Sequence, residues 1–150
     1  MKIHIQRSED VETVREAHSL AFPRDPWPGD DHEYWLATDG NGRVVGFASA
    51  IYWGDLKTVF LSRAAVVESA QGTGLQRRFI SARVRWAKTI PGCEFVWTYV
   101  ERWNYASLYN LLRCGFMALS CHRLGVKWHA LVLHLRHGSV PPLGRIFKRA

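Results

Sequence analysis

Two glycines in the middle of the chain, Gly72 and Gly74, carry the pattern with the clearest chemistry. They follow an apolar stretch that ends at Val66 and Val67, and they precede an amphipathic segment that begins at Leu75. At the start of a helix several backbone N–H groups have no intrahelical partner, and the helix end carries a partial positive charge. The pattern therefore predicts a cradle for a pyrophosphate group. A tight strand-to-helix turn without a ligand is the alternative, and the Gly-Lys-Ser/Thr of a P-loop does not follow.

The cysteines and histidines give no comparable pattern. The cysteines are odd in number and lack Cys-x-x-Cys spacing, so we expect buried thiols rather than a disulfide or a zinc site at Cys93, Cys114 and Cys121. Three late histidines share one strand and a loose tail, which do not set the tetrahedral geometry of a metal site. They are His129, His134 and His137. We therefore predict that the protein binds no metal.

The composition is that of one globular domain. The chain has 150 residues, 47% of them hydrophobic and 22% charged, which excludes a disordered, collagenous or coiled-coil protein. No stretch approaches the roughly 20 apolar residues that span a bilayer, and the first residues lack the apolar region of a signal peptide. We expect a cytoplasmic protein, a monomer or homodimer, without membrane contact.

Charge is distributed unevenly along the chain. The formal net charge is +7, all 13 acidic residues lie at or before Glu101, and eight Lys or Arg residues follow it. This excess suggests an anionic partner such as a nucleic acid, and a solvated basic face is the alternative. We assign residues 1–137 to a single domain. Residues 138–150 form a basic C-terminal tail, which we expect to be frayed or to act as an interaction arm.

The hydrophobic pattern predicts alternating strands and helices. Strands are expected at residues 2–6, 34–38, 43–53, 58–67, 94–100, 116–120 and 128–135. Helices are expected after Ser8 as N-cap, from Leu75 to just before Pro91, and at residues 105–113. This order predicts an α+β fold, an α/β sandwich whose central sheet is mixed and mostly antiparallel, with about six or seven strands flanked by helices.

The middle helix has a distinct apolar face in this interpretation. Leu75, Phe79, Ala82 and Trp86 recur at helical spacing. Basic residues lie mostly on the opposite side, namely Arg77, Arg78, Arg85 and Lys88. Among these, Arg77 is best placed to reach a phosphate at the start of the helix. We expect Arg78 and Arg83 to face solvent.

The glycine-containing turn resembles the coenzyme-binding signature of the GNAT superfamily of acetyl-coenzyme A dependent N-acetyltransferases. That signature is Arg/Gln-x-x-Gly-x-Gly/Ala after an apolar strand, and Gln71-Gly72-Thr73-Gly74-Leu75-Gln76 matches it except at the last position. A second motif agrees, because Asn104-Tyr105-Ala106-Ser107 followed by Gly115-Phe116 has the family's spacing around its late helix.

The resemblance implies a GNAT-like fold in which the cosubstrate acetyl-CoA lies in a cleft between two splayed strands. The exposed strand edge at Val66 and Val67 would pair with the pantetheine amides. The cofactor-binding residues that it implies are Val66, Val67, Gln71, Gly72, Thr73, Gly74, Leu75, Gln76, Arg77, Asn104 and Ser107.

Two of the family's usual proton-transfer residues are replaced in this chain. Family members often have a Glu at the positions of Phe60 or Tyr99. Glu101 lies two residues beyond Tyr99 and shares its strand face, so we expect it to take the amine proton, with a strand-end ion pair as the alternative. Leu111 stands where the family has a Tyr, and Ser107, one helical turn earlier, could order a water there. The candidate catalytic residues are Glu101, Tyr99 and Ser107.

The segment from Phe22 to Glu33 lies where the family places the wall of its acceptor site. It holds four carboxylates, which suggest a cationic amine as acceptor. Asp30, Asp31 and Trp53 are the candidate substrate-binding residues. Trp53 belongs to a group of aromatic residues that either lines an acceptor pocket or forms part of the core.

The sequence thus predicts an N-acetyltransferase that transfers an acetyl group from acetyl-CoA to a primary amine, on a protein or a small molecule, by direct attack. The missing Glu and Tyr leave open a catalytically weak or inactive acetyl-CoA-binding regulatory module. The basic last third leaves open a nucleic-acid-associated protein.

Overall fold

The computed structural model describes residues 2–119 and 127–149 and shows an open, mixed sheet with helices. Within the described residues seven strands form one sheet in the order β1-β2-β3-β4-β5-β7-β6, and four helices flank it. Strands β4 and β5 pair in parallel, over Thr58–Phe60 and Phe95–Trp97, and β1–β2, β2–β3, β5–β7 and β6–β7 pair antiparallel. The predicted fold class is therefore confirmed. Cys121 lies outside the described residues.

The elements follow one another closely along the chain. The strands are β1 (His4–Ser8), β2 (Glu33–Thr38), β3 (Val44–Trp53), β4 (Thr58–Val66), β5 (Phe95–Glu101), β6 (Met117–Leu119) and β7 (Trp128–His134). The helices are α1 (Val11–Ala21), α2 (Leu75–Thr89), α3 (Tyr105–Arg113) and α4 (Leu143–Arg149). Most predicted boundaries are correct to within one or two residues.

The chain divides into two compact units. The first comprises Met1–Ile51 and Ser62–Arg83, and the second comprises Tyr52–Leu61 and Val84–Ala150. The turn predicted to bind a pyrophosphate and the segment predicted to line the acceptor site belong to the first unit. Tyr99, Glu101 and helix α3 belong to the second.

Helix α1 of the first unit begins later than the sequence predicted. Asp10, not Ser8, is the N-cap, because its Oδ1 accepts from the Thr13 N–H at 3.2 Å. Ser8 instead pairs with Tyr34 in the ladder between β1 and β2. Val14 on the inner face of the helix is fully buried. It packs in a core cluster with Tyr34, Leu36 and Phe47.

Helix α2 buries part of the predicted apolar face together with residues beyond it. Leu75 and Phe79 are buried as predicted, Ala82 and Trp86 are half-buried, and Ile80 and Ala87 are buried as well. Arg83, which was expected in solvent, is only 4% exposed. Its guanidinium donates to the carbonyls of Phe79 at 3.2 Å and Ser49 at 3.1 Å, which satisfies two of its donors inside the core.

The second unit is organised around a row of aromatic rings. Trp97 on β5 is fully buried and lies 4.9 Å from Phe60 between ring centroids. The tail is not frayed, because helix α4 buries Ile146 and places Phe147 against Trp97 at 5.8 Å. Arg149 forms two hydrogen bonds to Asp55, at 2.8 and 2.6 Å. The division of the chain after residue 137 stays a prediction.

Candidate functional site: an anion cradle and a histidine–serine chain

The end of β4 supplies the strand edge that precedes the turn. The Val67 N–H donates to the Val45 carbonyl at 2.9 Å, so pairing with β3 extends one residue beyond the strand. Val67 itself is 44% exposed. An apolar groove of about 340 Å³ adjoins Val66 and Val67, between helix α1 and the ends of β3 and β4. The strand edge therefore has open space beside it.

The turn reverses direction at two residues with positive φ. Gly72 has φ +76° and Gly74 has φ +80°, a region that residues with a Cβ seldom adopt. Before them, the Gln71 N–H donates to the Glu68 carbonyl at 3.1 Å, and the Thr73 hydroxyl donates to the Ala70 carbonyl at 2.6 Å. These bonds hold the loop in place and leave the backbone N–H groups of residues 72–77 without an acceptor.

The backbone N–H groups from Gly72 to Arg77 remain free. The first helical bond of α2 runs from the Arg78 N–H to the Gly74 carbonyl at 3.1 Å, so Gly74 is the N-cap. Within the described residues, none of the six N–H groups of residues 72–77 donates to an acceptor. A Cβ built on Gly72 would meet no atom within 4 Å, so the space in front of the turn is open. Free donors at a helix start are the arrangement that binds phosphate.

The three arginines considered for phosphate binding differ in their contacts. Arg77 is exposed and makes no ion pair or hydrogen bond with the part of the chain that the structure describes. The Arg78 guanidinium donates to the Ile3 carbonyl at 2.9 Å, and Arg83 is buried. Arg77 alone of the three combines exposure with freedom from a protein partner.

Glu101 and Tyr99 share one face of β5, as the strand period predicted. Tyr99 lies 5.1 Å from Trp128 between ring centroids, and Trp128 is also the cross-strand partner of Glu101. The Glu101 carboxylate accepts from the Trp103 indole N–H at 2.7 Å and lies 3.8 Å from the Lys127 ammonium. The alternative for Glu101 was an ion pair with a neighbouring Arg, and the structure shows an ion pair with Lys127 instead. Its role as a base stays a prediction.

Helix α3 begins where the second motif predicted. The Asn104 side chain caps it by accepting from the Ser107 N–H at 3.2 Å, so the Asn has a local structural role. The Ser107 hydroxyl makes no hydrogen bond within the described residues. Leu111 is only 4% exposed and belongs to the buried side of the helix.

The acceptor segment is less acidic than its sequence indicates. The Asp25 carboxylate lies 3.0 Å from the Arg63 guanidinium, and the Glu33 carboxylate lies 3.3 Å from Arg7. Asp30 accepts from the indole N–H of Trp27 at 3.0 Å. These contacts leave Asp30 and Asp31 as the carboxylates not offset by an arginine among the described residues.

Trp53 packs with the aromatic row of the second unit. Its ring stacks on Phe60 at 5.3 Å, and the guanidinium carbon of Arg149 lies 5.0 Å from the ring centroid. These contacts are those of a partly buried core residue. Substrate binding by Trp53 stays a prediction.

A hydrogen-bonded chain that the sequence did not reveal runs through the first unit. His32 Nδ1 lies 3.0 Å from the Ser62 hydroxyl, which lies 2.6 Å from the Ser49 hydroxyl. The Arg63 N–H donates to Ser49 at 3.0 Å. Burial lowers the pKa of the His32 imidazole below its usual value, while Asp31 opposes this effect and Arg63 adds to it. No spacing signal connects residues 32, 49 and 62, because only strand pairing brings them together.

Basic residues of the last third are partly neutralised within the second unit. Arg136 lies 3.4 Å from Glu94, Lys127 pairs with Glu101, and Arg145 and Arg149 approach Asp55. Across residues 2–119 and 127–149 there is no group of three or more His, Cys, Asp or Glu side chains able to hold a metal ion. Over the same residues, no helix is both long and apolar enough to cross a membrane.

An open mixed sheet flanked by helices, with free N–H groups at the helix start after β4, is an α/β sandwich with an arrangement suited to an anion. The chain belongs to the acetyltransferase (GNAT) family, whose family model matches residues 3–116. The resemblance noted in the sequence and the assignment to the acyltransferases are thereby confirmed. No match is found among the curated proteins.

Solved structures with the same fold include three acetyltransferases. IAA acetyltransferase from Bacillus cereus ATCC 14579 is 20% identical with a TM-score of 0.74, over 89% of this chain and 100% of that one. NAA60 from Arabidopsis thaliana in complex with acetyl-CoA is 20% identical with a TM-score of 0.71, over 89% of this chain and 99% of that one. The ribosomal-protein-S18-alanine N-acetyltransferase from Escherichia coli is 17% identical with a TM-score of 0.72, over 92% and 97%. At these identities the likeness establishes the fold.

Proposed function

We propose that this acetyltransferase binds acetyl-CoA at the turn from Gln71 to Arg77 and transfers the acetyl group to a primary amine by direct attack. The observation that carries the proposal is the run of six free N–H groups at residues 72–77. These donors lie at the positive end of helix α2, which complements the two negative charges of a pyrophosphate. Arg77, an exposed residue in the first turn of the helix, adds a positive charge.

The strand edge and the groove beside it suit the rest of the coenzyme. Val66 is the last residue of β4 and Val67 follows it, and the groove next to them is lined mainly by apolar side chains. A pantetheine arm carries amides that pair with a strand edge and methyl groups that favour an apolar wall. Coenzyme binding by Asn104 and Ser107, which the family resemblance implies, stays a prediction.

The acceptor that we propose is an amine with positive charge. Asp30 and Asp31 form no ion pair with an arginine among the described residues, and both raise the pKa of Tyr34, an effect secondary to that of its burial. Exposed carboxylates attract cations over about 10 Å at 0.1 M salt. A polyamine, an aminoglycoside or a basic peptide fits this chemistry. Family membership supports an enzyme over a binding module or a nucleic-acid-associated protein.

The reaction requires an uncharged amine. A lysine-like amine has a reference pKa of about 10.4 and an α-amine one of about 7.8, so at neutral pH a protein group must help to remove a proton. The amine nitrogen then attacks the thioester carbon, the new N–C bond forms, and the C–S bond breaks with release of coenzyme A. Neither step needs a covalent intermediate on the protein.

Mass spectrometry tests the function directly. The purified protein is incubated with acetyl-CoA that carries a deuterated acetyl group and with an extract of small molecules and peptides, and a control contains the same components without protein. We expect acetylated amines that bear further positive charge. If coenzyme A binds but no labelled product forms, the chain is a binding module. A product of neutral or anionic amines would contradict the role of Asp30 and Asp31.

A further inference from the structure

His32 lies in the acceptor segment and contacts the strand that leads to the cradle. Ser62, its hydrogen-bond partner on β4, precedes Val66 by four residues, or about 13 Å along the strand. A coenzyme arm that starts at the cradle and follows β4 brings its thioester end toward Ser62. His32 therefore stands where the acceptor segment and the reacting end of the coenzyme would meet, an argument that rests on the proposed function.

The hydrogen-bond chain behind His32 orients its ring. Ser49 is fully buried, and its oxygen accepts from the Arg63 N–H, so its own hydrogen goes to Ser62, which is its one other partner in the described residues. The Ser62 oxygen lies 3.0 Å from His32 Nδ1, and this contact fits two tautomers, because Ser62 can accept from an Nδ1–H or donate its own hydrogen to a bare Nδ1. A base at Nε2 requires the first tautomer, in which the ring donates to Ser62 and Nε2 keeps its lone pair. Within the described residues Nε2 has no hydrogen-bond partner.

We propose that His32 is the base that takes the proton from the acceptor amine. As the amine nitrogen bonds to the acetyl carbon, its proton passes to Nε2 of His32. The C–S bond breaks, the electron pair leaves with the coenzyme A sulfur, and the imidazolium later returns its proton to that thiolate through water. Ser62 and Ser49 act as positioning residues, because Ser62 accepts the Nδ1–H of the ring and Ser49 holds Ser62 at 2.6 Å.

The charges around His32 agree with this role. Burial and Arg63 keep the imidazole neutral at pH 7, and the Asp25 carboxylate partly offsets Arg63 by pairing with it. The Asp31 carboxylate has the opposite effect, because it raises the pKa of His32 and so stabilises the imidazolium once it forms. Tyr34, whose ring lies 6.3 Å from the imidazole, has a raised pKa and stays uncharged. A base of this kind is active above its own pKa and loses activity as pH falls through it.

The tautomer of His32 can be measured without knowing the acceptor. Nitrogen-15 NMR of the labelled full chain distinguishes hydrogen on Nδ1 from hydrogen on Nε2. We expect the Nδ1–H form at pH 7 and an inflection below the usual value of 6.5. In Ser62→Ala the preference for Nδ1–H should weaken. A ring that carries hydrogen on Nε2, or that is already protonated at pH 7, would overturn the proposal.

Kinetics with defined amines provide the second test. Release of coenzyme A thiol is followed with spermidine and with a short lysine-containing peptide that has a free α-amine. His32→Gln keeps a polar side chain near Ser62 but removes the base, so kcat should fall by on the order of a hundredfold and the acidic inflection of the pH profile should disappear. Coenzyme A affinity should not change. The matched control is His4→Gln, an exposed histidine on β1, which should behave like the native protein.

The two proposals fail in different ways. A kcat for His32→Gln within a few fold of the native value, with its pH inflection intact, would contradict a role for His32 as base and leave the acetyltransferase proposal standing. Failure of the native chain to acetylate either amine would count against the proposed acceptor class. The tautomer measurement would then decide about His32 alone.

Discussion

The turn at residues 72–77 and the end of β5 both present polar groups, but they differ in whether those groups are already used. At the turn, six N–H groups have no acceptor within the described residues. At the end of β5, the Glu101 carboxylate accepts from Trp103 and faces Lys127. Binding a ligand at the turn breaks no internal bond, whereas a substrate at Glu101 competes with two protein partners. The comparison indicates that free hydrogen-bonding capacity, more than residue type, marks a binding site.

The largest effect is expected from closing the turn. Gly72→Val places a β-branched side chain in the open space where the pyrophosphate would lie, and it opposes a φ of +76°. We expect coenzyme A affinity to fall at least tenfold, about 1.4 kcal/mol, in isothermal titration calorimetry. Backbone strain of roughly 1–2 kcal/mol should also lower the free energy of unfolding.

Gly42→Val separates these two effects. Gly42 has φ +79°, and a Cβ there also meets no atom within 4 Å, but it lies in the β2–β3 turn. The control should show a similar loss of stability with unchanged coenzyme A affinity. Equal affinity loss in both variants would mean that strain, and not the blocked space, weakens binding.

The smallest effect is expected at Glu101. In Glu101→Gln the amide oxygen still accepts from Trp103, and only the partly exposed ion pair with Lys127 is lost, which is worth about 0.2–1 kcal/mol. If His32 is the base, kcat should change by less than about threefold. A hundredfold loss at unchanged coenzyme A affinity would instead support the prediction that Glu101 takes the proton.

Elements determined by local sequence were predicted well, whereas contacts between distant residues were not. Asn104 and Gly115 delimit α3, and Tyr105–Arg113 is the helix that the sequence predicts. Arg83 was expected in solvent because its partners, the Ser49 and Arg63 carbonyls, lie on strands β3 and β4, far from helix α2 in the sequence. The tail looked frayed because the burial of Ile146 depends on packing that no local pattern shows.

In the candidate site, too, local features could be predicted from the sequence and contacts between distant residues could not. The cradle lies within one continuous segment, so its glycines and helix start are visible in the sequence. The acceptor segment was correctly noted as acidic, but the pairing of Asp25 with Arg63 and of Glu33 with Arg7 joins positions far apart in the chain. The same holds for His32, Ser49 and Ser62, which β2, β3 and β4 bring together.

The most direct test of the central claim is the response of the turn's own N–H groups to coenzyme A. The amide signals of residues 72–77 are followed by NMR in the labelled full chain during titration with coenzyme A, and in parallel with pantetheine, which lacks the pyrophosphate. If these N–H groups bind the pyrophosphate, their proton signals should shift downfield with coenzyme A and stay in place with pantetheine. Coenzyme A that binds and leaves these amides unmoved would contradict the account.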